Sequence, residues 1–132
     1  MKIKSLITGM MLLLAITIHA QQTQNLLDGK KFTIQLMQGD KMDSKETIVF
    51  DNGMMDPLDC HQYGFTAANY QAKNSGDMLT WVARSKSEKE GTMAWQGKIT
   101  GDQIEGSVSW TKPGQATINY TFKGTAVKPV VK

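Results

Sequence analysis

The residues best suited to chemistry lie in the segment Asp59-Cys60-His61. A cysteine beside a histidine can act as a nucleophile with its base, or the pair can contribute to a metal site. Adjacent residues of a strand point to opposite faces, so a turn is needed to bring the two side chains together. His19 lies in a segment that we expect to be removed, so a zinc site would need carboxylates such as Asp56 or Asp59. The favoured interpretation is a buried thiol at Cys60 and a surface position for His61.

Four methionines near Cys60 offer a second candidate metal site. Soft sulfur ligands combined with an imidazole suit Cu(I) in an exported protein. Methionine is also a flexible gap-filler in protein cores, and this sequence has no repeated Met-rich pattern. The sequence therefore predicts neither a metal nor any other cofactor. The four residues are Met37, Met42, Met54 and Met55.

A series of aromatic residues in the second half of the chain is the third candidate site. If these side chains share one face of a barrel, they can line a pocket for a small apolar ligand. The alternative is that they fill the barrel, because eight strands enclose a space just wide enough for side chains or one small ligand. Large rings favour packing, whereas Gly97, Gly106 and Gly124 on the same face leave some space. The candidate ligand-binding residues are Trp81, Trp95, Trp110, Tyr120 and Phe122.

The stretch 91–124 would position most of these aromatic residues, and it has the pattern of three strands. Apolar and polar residues alternate strictly, as they do in a strand with one buried and one wet face. Gly101-Asp102 suits a two-residue hairpin turn, because glycine and aspartate tolerate its backbone conformation. The register that follows pairs Ile99 with Ile104, Gly97 with Gly106 and Trp95 with Val108.

A second turn near Pro113-Gly114 joins the last two of these strands. A two-residue loop there would turn one strand inside out, because a shift of one residue moves every side chain to the other face. We therefore expect a loop of odd length, or a bulge, that places Trp110 near Ile118 or Ala116.

The rest of the chain adds five strands and no convincing helix pattern. Short turns such as Asp51-Asn52-Gly53 make each strand antiparallel to the next. The sequence therefore predicts an all-β fold, a single antiparallel up-and-down meander of about eight strands. Closing the meander into a small barrel would remove its exposed edges, and a two-sheet sandwich is the alternative. The five further strands are predicted at residues 31–37, 46–51, 54–58, 65–73 and 78–84.

The N-terminal segment 1–20 has the three-part pattern of a secretory signal peptide: two early lysines, an apolar run and a small residue at Ala20. The apolar run is short for a membrane span. We therefore expect cleavage near Ala20 and a single barrel domain over residues 21–132 with no membrane span. The protein would then be periplasmic or secreted. Its only cysteine, Cys60, cannot form an internal disulfide there.

The charge balance gives no sign of a nucleic-acid partner. The chain has 15 basic and 12 acidic residues, and removal of Lys2 and Lys4 would leave 13 basic ones and a net charge near +1. No basic patch is interleaved with aromatic residues. Nucleic-acid binding is therefore disfavoured, and no protein partner can be named.

Turn residues and core aromatics form a further pattern over most of the chain. They are Phe50-Asp51-Asn52-Gly53, Cys60, Tyr63-Gly64-Phe65, Tyr70, Trp95-Gln96-Gly97, Gly101-Asp102-Gln103-Ile104-Glu105-Gly106, Trp110 and Tyr120-Thr121-Phe122-Lys123-Gly124. This pattern is similar to that of a family of small exported bacterial β-barrel proteins of unassigned function. The architecture loosely resembles the lipocalin-like barrels, which hold small apolar ligands. The characteristic Gly-x-Trp opening of lipocalins is not found, so this second resemblance concerns shape only.

Three functions are open at this point. The first is an exported barrel that binds a small apolar ligand in its interior or at its mouth. The second is an envelope structural or interaction protein with a solid barrel core, acting through loops around Cys60 or residues 85–90. The third, and least favoured, is an enzyme or metal-binding protein that uses Cys60 and His61. No hydrolase or phosphate-loop signature supports it, so the protein is more simply interpreted as a non-enzyme.

Overall fold

The chain forms a closed barrel of eight antiparallel strands, seen in a computed structural model that describes residues 25–128. Each strand pairs with the next along the chain, and β8 pairs with β1 to close the barrel. The predicted meander is confirmed and the sandwich alternative is wrong, whereas the expected signal peptide lies outside the described residues. The strands are β1 (Lys31–Gln38), β2 (Lys41–Asp51), β3 (Met54–Pro57), β4 (Ala68–Ser75), β5 (Met78–Ser87), β6 (Gly91–Thr100), β7 (Gln103–Thr111) and β8 (Ile118–Ala126).

The two hairpins at the end of the chain have the predicted register. Gly101 takes a left-handed conformation, with φ of 62°, in the turn between β6 and β7. All three predicted pairs then face each other across these strands. Trp110 of β7 lies opposite Ile118 of β8, as an odd-length loop requires.

Three strand boundaries differ from the sequence prediction by three or more residues. β5 extends to Ser87, so residues 85–87 belong to a strand and not to the expected loop at 85–90, because Ser85 and Ser87 are buried. β2 begins at Lys41, before the predicted start at residue 46, because its exposed polar first half still pairs with β1. β4 begins at Ala68, after a 3-10 helix at Leu58–Tyr63 and a left-handed Gly64. An exposed segment such as the first half of β2 is a strand because its backbone pairs with a neighbour. Its side chains need not alternate between apolar and polar, so the sequence pattern does not reveal it. The described part of the chain has no helix long and apolar enough to cross a membrane.

Aromatic rings fill the centre of the barrel. Phe50 contacts Trp81 and Tyr70 edge-on, with ring centroids 5.0 Å and 5.1 Å apart. Phe122 lies between Trp81 and Trp95, at centroid distances of 6.3 Å and 5.7 Å. None of the five rings is more than 7% exposed. Their burial and mutual contacts supply much of the driving force for folding. Aliphatic side chains complete this core, among them Ile34, Ile48, Ile99, Ile104 and Val108.

A turn at residues 25–29 closes one end of the barrel. Leu27 is fully buried there, and its backbone N–H donates to the hydroxyl of Tyr70 at 2.8 Å. That hydroxyl donates in turn to the carboxylate of Asp28 at 2.8 Å. Burial and the bond to Asp28 raise the pKa of Tyr70 to about 12, so the hydroxyl keeps its proton at neutral pH. Tyr70 therefore ties the closing turn to the barrel wall.

Candidate functional site

The five candidate ligand-binding residues all face the barrel interior, at two depths. Trp81, Trp95 and Phe122 are each 2% exposed and lie in the central core. Trp110 and Tyr120 are half-buried toward the end that carries the 3-10 helix. Trp95 donates its indole N–H to Ser85 Oγ at 3.2 Å, and Trp110 donates to a backbone oxygen. The structure thus places all five on the inner face and brings Trp81, Trp95 and Phe122 into mutual contact through Phe122, and their binding of a ligand stays a prediction.

The inward-facing glycines accommodate aromatic rings. A Cβ added at Gly97 would lie 2.9 Å from Trp81 Nε1, and one added at Gly106 would lie 2.8 Å from Phe122 Cζ. The rings therefore occupy the space that the glycines leave. Trp81 Nε1 has no hydrogen-bond partner among the described residues. Such an unpaired buried donor costs roughly 1–3 kcal/mol, and packing of the large ring offsets that cost.

Cys60 points into the barrel from the 3-10 helix, where it contacts a buried carboxylate. Its thiol donates to Glu46 Oε1 at 3.0 Å, and Glu46 is only 2% exposed. The other oxygen of this carboxylate accepts the backbone N–H groups of Asp59 and Thr47, at 2.7 Å and 3.2 Å. Burial, the hydrogen bond to Glu46 and nearby negative charge raise the pKa of the Cys60 thiol. The thiolate that a nucleophile requires is therefore disfavoured.

His61 points away from Cys60 and belongs to a different contact. Its half-exposed side chain places Nε2 2.6 Å from Asp56 Oδ1. The structure therefore does not bring the two candidate reactive side chains together. Within the described residues, no three His, Cys, Asp or Glu side chains form a metal-binding group. The candidate methionines are also separated, because Met55 is buried in the core and Met42 is 45% exposed.

A groove with a volume of about 1030 Å³ crosses the outer wall of the barrel over strands β4 to β8 and reaches Met37 of β1 and the turn at Gly39 and Asp40. Gly97 and Gly106 contribute to its lining. A Cβ at Gly106 would lie 2.1 Å from the backbone oxygen of Gln96, and one at Gly124 would lie 1.9 Å from that of Thr33. Only glycine permits such close approach of backbone at these positions, which lets the strands coil sharply around the core.

One continuous row of uncharged side chains crosses this groove, and we call it the polar row. Each member faces the next across neighbouring strands. Gln96 Nε2 donates to Ser107 Oγ at 3.2 Å. The amides and hydroxyls of the row can both donate and accept hydrogen bonds, while Val82, 47% exposed, adds a small apolar contact. The polar row consists of Gln71, Val82, Gln96, Ser107 and Thr121.

A second row borders the polar row, and we call it the basic row. Lys73, Lys98 and Lys123 occupy the alternate strands β4, β6 and β8, with Thr80 and Glu105 between them. Lys98 Nζ lies 3.4 Å from Glu105 Oε2, and both side chains are at least half-exposed. Neighbouring strands are about 4.8 Å apart, so successive lysines are spaced by roughly 10 Å along the row.

The polar row was not predicted from the sequence. The expected pairing of Gly97 with Gly106 indicates space on the inner face, and it gives no information about the outer one. The alignment of Gln71 with Gln96 depends on the register of three strands, and only the register of the last hairpins could be predicted from the sequence. Residues of β4 and β5 could therefore not be assigned to the same row.

The chain was compared with protein-family models, with curated proteins and with solved structures, and none matches. The resemblance to a family of small exported bacterial proteins is therefore supported only in its architecture. The closed barrel is consistent with a lipocalin-like shape, and a barrel is compatible with ligand binding. Shape alone does not identify a function, so the outer groove and the interior must be judged by their residues.

Proposed function

We propose that this protein is an exported binding module that holds an extended polar ligand in the groove on its outer wall. The observation that carries this proposal is the polar row, which is continuous over five strands and lies in a groove of about 1030 Å³. This volume is at the upper end of the range found for ligand pockets, roughly 300–1,000 Å³. Because its lining follows strands β4 to β8 around the closed barrel, the groove suits a flexible, chain-like ligand better than a compact one.

The barrel interior supports this proposal because its volume is taken up by side chains. Trp81 contacts Phe50 and Phe122, and Phe122 contacts Trp95. An apolar ligand inside the barrel would have to push these rings apart and displace some of them. Large rearrangements of a close-packed core cost several kcal/mol, so an interior ligand would need unusually favourable contacts. The packed core and the outer groove together favour binding on the outside.

Export is part of the same proposal. Its support is the lysine, apolar and small-residue pattern of segment 1–20, together with a barrel that holds its single cysteine as a buried thiol. Expression of the full chain in a bacterial host, followed by intact-mass measurement, tests this part. We expect a product that lacks the first 20 residues in the periplasmic fraction. A full-length product in the cytoplasm would contradict export without affecting the groove.

The groove itself is tested by calorimetric titration with three probes of different chemistry: cellohexaose, hexagalacturonate and oleate. The double variant Gln96→Ala/Ser107→Ala removes two central groups of the polar row. Gln103→Ala is the matched control, because Gln103 is exposed on β7 outside the groove. We expect an oligosaccharide to bind the wild type and the control but not the double variant. Oleate binding that survives the double substitution would overturn the proposal, and so would the failure of all three probes to bind.

A further inference from the structure

We propose that the ligand of the groove is a linear glycan that carries carboxylate groups, with its hydroxyls on the polar row and its carboxylates at the basic row. We base this on the groove site proposed above and extend it to the chemistry of the ligand. Three features of the groove support the assignment: the hydrogen-bonding groups of the polar row, the charge and spacing of the lysines, and the lack of any open ring face.

The polar row has the hydrogen-bonding capacity that sugar hydroxyls require. A glutamine amide presents donors and an acceptor side by side, so it can bind two neighbouring hydroxyls at once. Gln71 and Gln96 are both exposed in the groove, two strands apart. The hydroxyls of Ser107 and Thr121 continue the same line on β7 and β8. A sugar chain lying across the strands would meet such a group at nearly every step.

The basic row adds a positive charge that a neutral glycan would not use. The three lysines outnumber the two carboxylates that line the groove, Asp40 and Glu105. The pair between Lys98 and Glu105 is exposed and 3.4 Å long, so it is weak and leaves the lysine available. Arg84 lines a second concavity of about 500 Å³, which shares Gln71, Val82, Gln96 and Ser107 with the groove. The groove region is therefore positive overall.

The spacing of the lysines suits a repeating acidic chain. They stand on alternate strands, which separates their backbones by roughly 10 Å, about the length of a disaccharide unit, and a chain that meets all three curves around the wall of the closed barrel. A glycan with at least one acidic group in each disaccharide can therefore reach successive lysines. Lysine is a flexible point charge, and it can follow a carboxylate without a fixed geometry.

The aromatic residues of the groove argue against a nucleic-acid strand. Single-stranded nucleic acids are held by rings on which the bases stack, combined with basic side chains. Trp81 and Phe122 are the aromatic residues that line the groove, and each is only 2% exposed because its ring faces the core. No ring face is open for stacking in this groove. Lysines combined with amides and hydroxyls fit an acidic sugar chain better.

The test compares hexagalacturonate with cellohexaose and with hexathymidylate by calorimetric titration at low and high salt. The variants Lys98→Gln and Lys123→Gln, alone and together, remove charge from the basic row. Lys86→Gln is the matched control, because Lys86 is an exposed lysine of β5 outside the groove. Each exposed ion pair contributes modestly, so we expect about a two- to fivefold loss of affinity for each groove lysine and roughly tenfold for both. We expect no change in Lys86→Gln and weaker binding at high salt.

Each other outcome separates this inference from the groove proposal. If cellohexaose binds as tightly as hexagalacturonate and the lysine variants have no effect, the carboxylated ligand is wrong but the groove stands. If hexathymidylate binds as tightly as hexagalacturonate, the groove is a general polyanion surface and the glycan assignment is wrong. If no probe binds, or if binding persists in both the lysine variants and Gln96→Ala/Ser107→Ala, both the assignment and the groove proposal are wrong.

Discussion

The inner and outer surfaces of strands β5 to β8 are built from alternate residues of the same segments, yet different interactions determine which residues occupy each surface. Inside, Trp81, Trp95 and Phe122 contact one another and are almost fully buried. Outside, their sequence neighbours Val82 and Gln96 lie in an open groove. Packing determines the inner residues, whereas contact with water favours polar residues of any kind on the outer face. Four of the five members of the polar row are uncharged amides or hydroxyls, and this shared chemistry makes them the better candidates for function.

The glycines link the two surfaces. Gly106 has no side chain inside, which makes room for the ring of Phe122 and lets the backbone of Gln96 approach. Gly97 and Gly106 also contribute to the lining of the outer groove. The packed core and the outer groove therefore share these two residues, and substitutions on each side should have different effects.

The largest expected effect on stability comes from the inner surface. Trp95→Ala removes a 2% exposed ring and its hydrogen bond to Ser85, so we expect a loss of about 3–5 kcal/mol in the free energy of unfolding. Urea denaturation measures it. A loss below about 1 kcal/mol would mean that the residue is not part of a packed core, and the contrast between the two surfaces would fail.

Gly106→Ala should destabilise the protein at the point where the surfaces meet. The added Cβ would lie 2.1 Å from the backbone oxygen of Gln96, so the strands must move apart. We expect a loss of roughly 1–3 kcal/mol, as for other overpacked sites, and weaker binding in the groove. Ser107→Ala, the neighbouring outward position, is the stability control. Unchanged stability in Gly106→Ala would show that the wall is less tightly coiled than described.

A pH-dependent effect is expected from Glu46. Burial raises the pKa of its carboxyl, more than the hydrogen bonds from Cys60 and Asp59 lower it. A carboxyl whose pKa is higher in the folded state stabilises the fold when protonated, and that contribution is lost as pH rises through the folded pKa. Urea denaturation over an acidic-to-neutral pH series measures the free energy of unfolding. We expect it to fall less with rising pH in Glu46→Gln than in the wild type. Glu105→Gln is the control, because Glu105 is exposed. If the free energy of unfolding depends on pH in Glu46→Gln as it does in the wild type and in this control, the raised pKa of Glu46 is contradicted.

The smallest expected effect on stability comes from the outer surface. Gln96→Ala removes an exposed side chain whose hydrogen bond to Ser107 is also exposed, so the free energy of unfolding should change by no more than about 0.5 kcal/mol. Affinity for hexagalacturonate should fall in the same variant. Urea denaturation and calorimetry on one preparation measure both. A large loss of stability with unchanged affinity would assign Gln96 to the fold and not to the site.

The sequence predicted the barrel because strict alternation and good turn residues determine its strands. The pairing of Trp95 with Val108 followed from the length of the first turn, and the alternation of apolar residues placed Trp110 near Ile118 or Ala116, of which the structure has Ile118. The contact between Cys60 and Glu46 could not be predicted, because it joins β2 to a short 3-10 helix with no strong sequence pattern. The groove was missed for a related reason. Its members come from five strands, and their alignment requires the register of all of them.

The most direct test of the outer site is a nuclear magnetic resonance titration of the isotope-labelled protein with hexagalacturonate. The side-chain amides of Gln71 and Gln96 report on the groove, and the indole N–H of Trp95, which is bonded to Ser85, reports on the interior. We predict concentration-dependent shifts of the glutamine amides while the Trp95 indole signal stays in place. A shift of the Trp95 indole signal with unchanged glutamine amides would place the ligand inside the barrel and contradict the outer site.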